Sequence, residues 1–167
     1  MPLGKSALCI QETDELFSNT HPYIQFQQIT TDKDLFGDGL DGSRYDLRAL
    51  AINGLLTDID AFMIGEIKGR EALQFINSAN TGNQCFASVH ANCPEEALPQ
   101  IADYAKNDSD YSKADLLKRL QSIGLVVFMK DFQVHSMSEV LGWDDDRNDL
   151  IYRRVPISVP YKEHRAS

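Results

Sequence analysis

Short apolar runs, each closed by a polar cluster and separated by helix-period stretches, constrain this chain more than any other feature. Ala7–Ile10 is followed by Gln11-Glu12-Thr13-Asp14-Glu15, Asp60–Ile67 closes on Gly65-Glu66, and Cys85–His90 leads into Ala91-Asn92. Runs this short with such ends read as buried strands. Between them, Leu47, Leu50, Ala51, Gly54 and Leu55 fall on one helical face, and so do Ala72, Phe75, Ile76 and Ala79. Tyr23–Ile29 alternates apolar and polar residues, the period of a half-exposed strand. This order predicts an α/β fold rather than an all-α or all-β one. Thr31–Ser43, with three glycines and four aspartates, reads as a loop.

Further along, Pro94 suits the first turn of a helix, whereas Pro99 is placed to kink or restart it. Ser112-Lys113-Ala114-Asp115 resembles a capping box that opens a helix to about Ser122. Leu125–Lys130, Gln133–Gly142 and Leu150–Pro156 read as three strands with turns at Lys130-Asp131 and Asp144–Asn148, an antiparallel meander expected to pair with the core sheet. The domain reading is a core over residues 1–157 and a polar, flexible tail over 158–167.

Net charge narrows the function classes. With 25 acidic against 16 basic residues, net −9, the chain lacks the cationic surplus that displaces counterions from nucleic acid, so no direct nucleic-acid binding is expected. The acidic clusters Asp103–Asp110 and Asp144–Asp146 read as solvated loops. The longest strongly apolar run, Gly124–Met129, is far shorter than the ~18 residues of a membrane span, and no secretory leader opens the chain. Three cysteines, Cys9, Cys85 and Cys93, form no disulfide framework, and a reducing cytoplasmic setting fits.

The polar clusters sit where an α/β sheet displays its chemistry, at the C-terminal ends of strands. A carboxylate fixed by a buried strand can hold a hydrolytic or Mg²⁺-bound water, and a neighbouring histidine can contact a phosphate. Singly these signals are weak, because acids also cap strands and histidines also serve structure. A Cys85-x4-His90-x2-Cys93 metal site lacks a fourth ligand, and strand alternation would split Cys85 from His90. His21 and His135 read as incidental.

The wording of the segments carries more. Phe62–Ala72 reads FMIGEIKGREA, Asn80–Leu98 reads NTGNQCFASVHANCPEEAL, and Leu8–Leu16 reads LCIQETDEL. In order and spacing these resemble the Walker B, histidine-box and acidic-box elements of the type II and type IV secretion ATPase superfamily, which includes pilus motors and conjugation ATPases. Val126-Val127-Phe128 and Ser138–Gly142 resemble its C-terminal strands, so the resemblance runs from about Ala7 to Pro156. It implies a partial RecA-like sheet of the P-loop NTPase type. It also implies catalytic roles for Glu66 (polarising water, or holding Mg²⁺ through it) and Glu12. Nucleotide-binding or sensing roles fall to His90, Arg48, Glu15 and Thr81, although Thr81-Gly82 equally suits a helix C-cap. ATP and Mg²⁺ are the implied ligands, a hexamer and inner-membrane secretion platform proteins the implied partners. The place implied is cytoplasmic, peripheral at the inner membrane.

Departures from the family pattern qualify this. Gln11 stands where a glutamate is usual, and an amide is no general base. Ile52, Leu56, Asp58 and Ala61 replace frequently basic positions, and Asn83 replaces a histidine. Gly4-Lys5-Ser6 ends like a phosphate-binding loop, but a strand must precede that loop and a helix follow it; here an apolar strand follows at once. The expectation is therefore a motor fragment that is inactive alone, with a non-catalytic assembly module as the alternative.

Overall fold

The computed structural model describes residues 2–29 and 46–157; the Thr31–Ser43 loop and the tail 158–167 lie outside the described residues. The first part is a parallel sheet in the order β2-β1-β3-β4, formed by β1 (Ala7–Gln11), β2 (Ile24–Gln28), β3 (Ala61–Ile64) and β4 (Gln84–Ala87). Leu8 pairs with Phe62, and Phe62 with Cys85, so the apolar runs stand side by side. β1 is buried at every position.

Helices α1 (Leu47–Leu55) and α2 (Ala72–Asn80) cover one face through the stripes their sequences carry. Leu8, Ile10, Phe62 and Ile64 meet Leu47, Ala51, Phe75 and Ile76 in the core, and burying each large side chain contributes about 1.5–3 kcal/mol. At Gly54 the helix approaches the sheet so closely that a Cβ would stand 2.5 Å from Leu8 Cδ2.

α3 (Pro94–Lys106) and α4 (Lys113–Leu120) follow, and the capping box at Ser112 and Asp115 forms in both directions. Pro99 neither ends nor restarts α3, which runs unbroken for 13 residues. Ala97 and Leu98 before the proline and Ile101, Ala102 and Ala105 after it are all buried, so packing on both sides outweighs the lost hydrogen bond.

The meander forms, but it does not join the first sheet. β5 (Leu125–Lys130), β6 (Gln133–Asp144) and β7 (Asp149–Val155) make a separate antiparallel sheet. Its buried side, with Val126, Ser138, Val140 and Leu150, is taken up by α3 and α4. The buried Ser138 hydroxyl donates to Glu95 in the first turn of α3 at 2.7 Å, and Lys118 of α4 reaches Asp145 at 2.9 Å. The first turn of the meander falls at Asp131-Phe132, one residue later than expected, with both φ values positive.

Candidate functional site

The C-terminal ends of β1, β3 and the segment after β4 converge at one end of the parallel sheet. Beyond β3, Gly65 donates its amide to Ile10 O at 2.8 Å. A side chain there would press on Gln11 Cβ at 3.2 Å, so glycine allows the two strand ends to close up. Ser88 then fixes the next residues. Its hydroxyl donates to Gly65 O at 2.5 Å, and its carbonyl accepts the Ile67 amide at 2.8 Å. Glu66, between those two ties, has its backbone held on both sides.

Around Glu66 a small charged cluster assembles. His90 Nε2 lies 3.0 Å from Glu66 Oε1, and Lys68 Nζ lies 3.8 Å from Glu66 Oε2 while pairing closely with Glu12. The bond to Glu12 raises the Lys68 pKa above its ordinary value against the opposing pull of desolvation, helped by the charges of Glu12, Glu66 and Glu71. Glu71, nearly buried, turns its carboxylate back onto the amides of Lys68 and Gly69 at 2.7 and 2.9 Å, closing the loop that presents Glu66. His90 is 94% exposed and Glu66 37%. Ion pairs this open add only about 0–1 kcal/mol to stability, so the cluster is poorly explained as a fold-holding device.

The departure at Gln11 has a structural explanation. Its buried side chain donates from Nε2 to Asp14 and to Leu16 O, both at 3.2 Å, and accepts at Oε1 from the Glu15 and Leu16 amides at 3.2 and 2.8 Å. A carboxylate at neutral pH has no proton to donate and cannot reproduce that knot. Glu15 joins it through its backbone, while its side chain is exposed.

The other expected site residues are placed differently. Arg48 gives its guanidinium to Asp108 at 2.7 Å, and Arg70 binds the same carboxylate at 2.8 Å. Asp108 therefore ties the first turn of α1 to the segment before α2. This corrects the reading of Asp103–Asp110 as a solvated cluster, since the Asp108 side chain is only 7% exposed. Burial pushes its pKa up, but the bonds from Arg70 and Arg48 more than offset this and hold it below the ordinary carboxylate value. Thr81 caps α2, bonding Ser78 O at 2.8 Å ahead of Gly82 at φ 92°. It stands at the N-terminal end of the strands, away from Glu66, as the C-cap reading has it.

Gly4-Lys5-Ser6 lies at that same far end. Lys5 pairs with Asp60 at 2.5 Å, the Ser6 amide donates to Asp60 at 2.8 Å, and β1 begins at the next residue. The residues after β4 also need correction. The strand stops at Ala87, so alternation does not set the side of His90; among the described residues no group of three or more His, Cys, Asp and Glu is placed to hold a metal ion. The cluster thus brings the Glu12 and Glu66 carboxylates together around Lys68, with His90 against Glu66. Lys68, Ser88 and Asp108 were missed from sequence, because their roles arise from contacts between separate segments.

Among the described residues no helix is long and apolar enough to cross a membrane. The family described as Type II/IV secretion system protein matches residues 42–128, just over half of the chain. No match was found among curated proteins. Two solved structures share the fold. The VirB11 ATPase of the Brucella suis type IV secretion system, in complex with sulphate, is 20% identical over 76% of this chain and 36% of its own, with a TM-score of 0.58. The Legionella pneumophila ATPase DotB is 13% identical over 90% of this chain and 36% of its own, with a TM-score of 0.56. The chain therefore spans about a third of the length of either structure.

Proposed function

The chain belongs to the type II/IV secretion system protein family, and on that premise we propose that it is the water-activating part of an ATPase that powers secretion, conjugation or pilus assembly. One observation carries this reading. Glu66 is held by its backbone at the C-terminal end of a buried strand, with His90 at 3.0 Å on one oxygen and Lys68, itself paired with Glu12, 3.8 Å from the other. Glu66 polarises the attacking water, or holds Mg²⁺ through it, and His90 reads the state of that carboxylate and passes it to the segment before α3. Glu12 sets the charge of the site through Lys68. Bound ATP with Mg²⁺ supplies the phosphoryl group and neutralises its charge.

In the whole protein this unit works as a subunit of a hexameric ring with nucleotide between subunits, docked on platform proteins at the cytoplasmic side of the inner membrane. Arg48, released from Asp108, faces phosphate or the neighbouring subunit. The chain by itself turns over no ATP, because no described residue grips the phosphates. In a polypeptide that includes the phosphate-binding loop, Glu66→Gln lowers kcat by about 10²–10⁴-fold with ATP binding retained. An unchanged rate in that variant, or a Mg²⁺-dependent rate from the chain alone that Glu66→Gln abolishes, contradicts the reading.

A specific observation favours a second reading, a non-catalytic assembly module that keeps the fold for its contacts. Gln11 replaces an acid and serves structure through all four of its hydrogen bonds. Ring formation by the longer polypeptide without any turnover would decide for it.

A further inference from the structure

Glu66 and His90 both stand beyond the sheet that presents them. The last rung between β3 and β4 joins Ile64 to Ala87, so the ladder fixes neither residue. Packing does not fix their side chains either, since Glu66 is 37% exposed and His90 94%. Yet His90 Nε2 and Glu66 Oε1 lie 3.0 Å apart.

The backbone shows what aims Glu66. A peptide group is planar, so the direction in which a Cβ leaves the chain is set by the two peptide planes that flank its Cα. For Glu66 one plane carries Gly65 O and the other the Ile67 amide. Ser88 holds both: its hydroxyl donates to Gly65 O at 2.5 Å, and its carbonyl accepts from Ile67 N at 2.8 Å. Gly65 has no Cβ to restrict its dihedral angles, so the plane that follows it turns freely unless it is tied. The Gly65 amide is bonded to Ile10 O, but that bond belongs to the plane before.

Ser88 itself stands on firm ground. Val89 and Ala91 pack against the core, whereas Ser88 and His90 are exposed. Water alone would satisfy an exposed hydroxyl, so no burial penalty calls for its bond to Gly65.

We propose that Ser88 is the positioning residue of the Glu66–His90 pair: from a segment anchored at Val89 and Ala91, its hydroxyl holds the peptide plane that enters Glu66 and turns the carboxylate towards His90. Ser88 acts through Glu66 and touches no reacting group. The inference deepens the ATPase reading above and rests on it for the effect on turnover.

Ser88→Val and Ser88→Thr test it as a near-isosteric pair that differs in the hydroxyl, and both suit an extended segment. Nuclear magnetic resonance on the full chain reads the pair through the Overhauser contact between the His90 Cε1 proton and the Glu66 Cγ protons. Exchange of the Ile67 amide reads the loop. In Ser88→Val the contact disappears and the Ile67 amide exchanges about three- to tenfold faster, with the urea midpoint unchanged; Ser88→Thr keeps both contact and protection. In a polypeptide that includes the phosphate-binding loop, Ser88→Val lowers kcat about 10–10²-fold at unchanged KM for ATP, and Ser88→Thr does not. An intact contact in Ser88→Val overturns the proposal, as does a contact absent from the parent chain. So does a loss that Ser88→Thr fails to avoid, which marks a general structural role, or full turnover by Ser88→Val. Loss of the contact in Ser88→Val alone, with no turnover by the unsubstituted longer polypeptide, keeps the positioning role and removes the ATPase reading.

Discussion

Gln11 shows how much one residue decides here. The sequence displays it as a lost acid; only the fold shows an amide donating and accepting at once to hold Glu12–Leu16 in shape. Gln11→Ala removes four bonds around a buried position and costs about 1–3 kcal/mol, read as a lower urea midpoint. Gln11→Glu keeps the size but loses both donors; its deficit at neutral pH shrinks as acid restores one proton. Asp108 makes a pH-dependent contribution. Because its folded pKa lies below the ordinary 3.8, its stabilisation is fully present above that value and is lost as pH falls through the depressed one. Asp108→Asn therefore flattens the acid limb of the stability curve below about pH 4 and lowers stability at neutral pH. The motifs single out Glu66 and His90, and the fold brings the two within 3.0 Å. Lys68, Ser88 and Asp108 were not, because nothing local in the sequence says which distant backbone or side chain each will meet.

Among the elements, those marked by apolar period or by capping chemistry form where expected. β1, α1, α2 and the Ser112 capping box carry their instructions locally, in spacing and in short-range hydrogen bonds. The structure departs from expectation at two places where tertiary packing overrides the local signal. Pro99 stays inside α3, and the meander docks on α3 and α4 instead of the parallel sheet. The packing at Gly54 sets a limit on α1. Gly54→Ala gains about 1 kcal/mol of helix propensity but forces a Cβ against buried Leu8, an overpacking cost of about 1–3 kcal/mol. The expected outcome is a net loss of about 1 kcal/mol in thermal or urea unfolding. Ser138→Ala cuts the bond that fastens β6 to the start of α3, and destabilises by about 1 kcal/mol in the same assay.

At the scale of the whole molecule, the parallel sheet gathers Glu12, Glu66 and His90 at one end and leaves Gly4-Lys5-Ser6 at the other. That division carries the proposal: the end proposed to activate water holds Glu12, Glu66 and His90, and among the described residues no phosphate grip stands beside it. The strand ends were legible in the sequence because buried apolar runs mark them; the gap between the two sheets was not, since it depends on which strands find no neighbour. Calorimetric titration of Mg²⁺-ATP into the chain alone tests this most directly. No binding in the micromolar range is expected. Micromolar binding would contradict it: if lost in Lys5→Ala, Gly4-Lys5-Ser6 grips phosphate after all, and if retained, another part of the chain does.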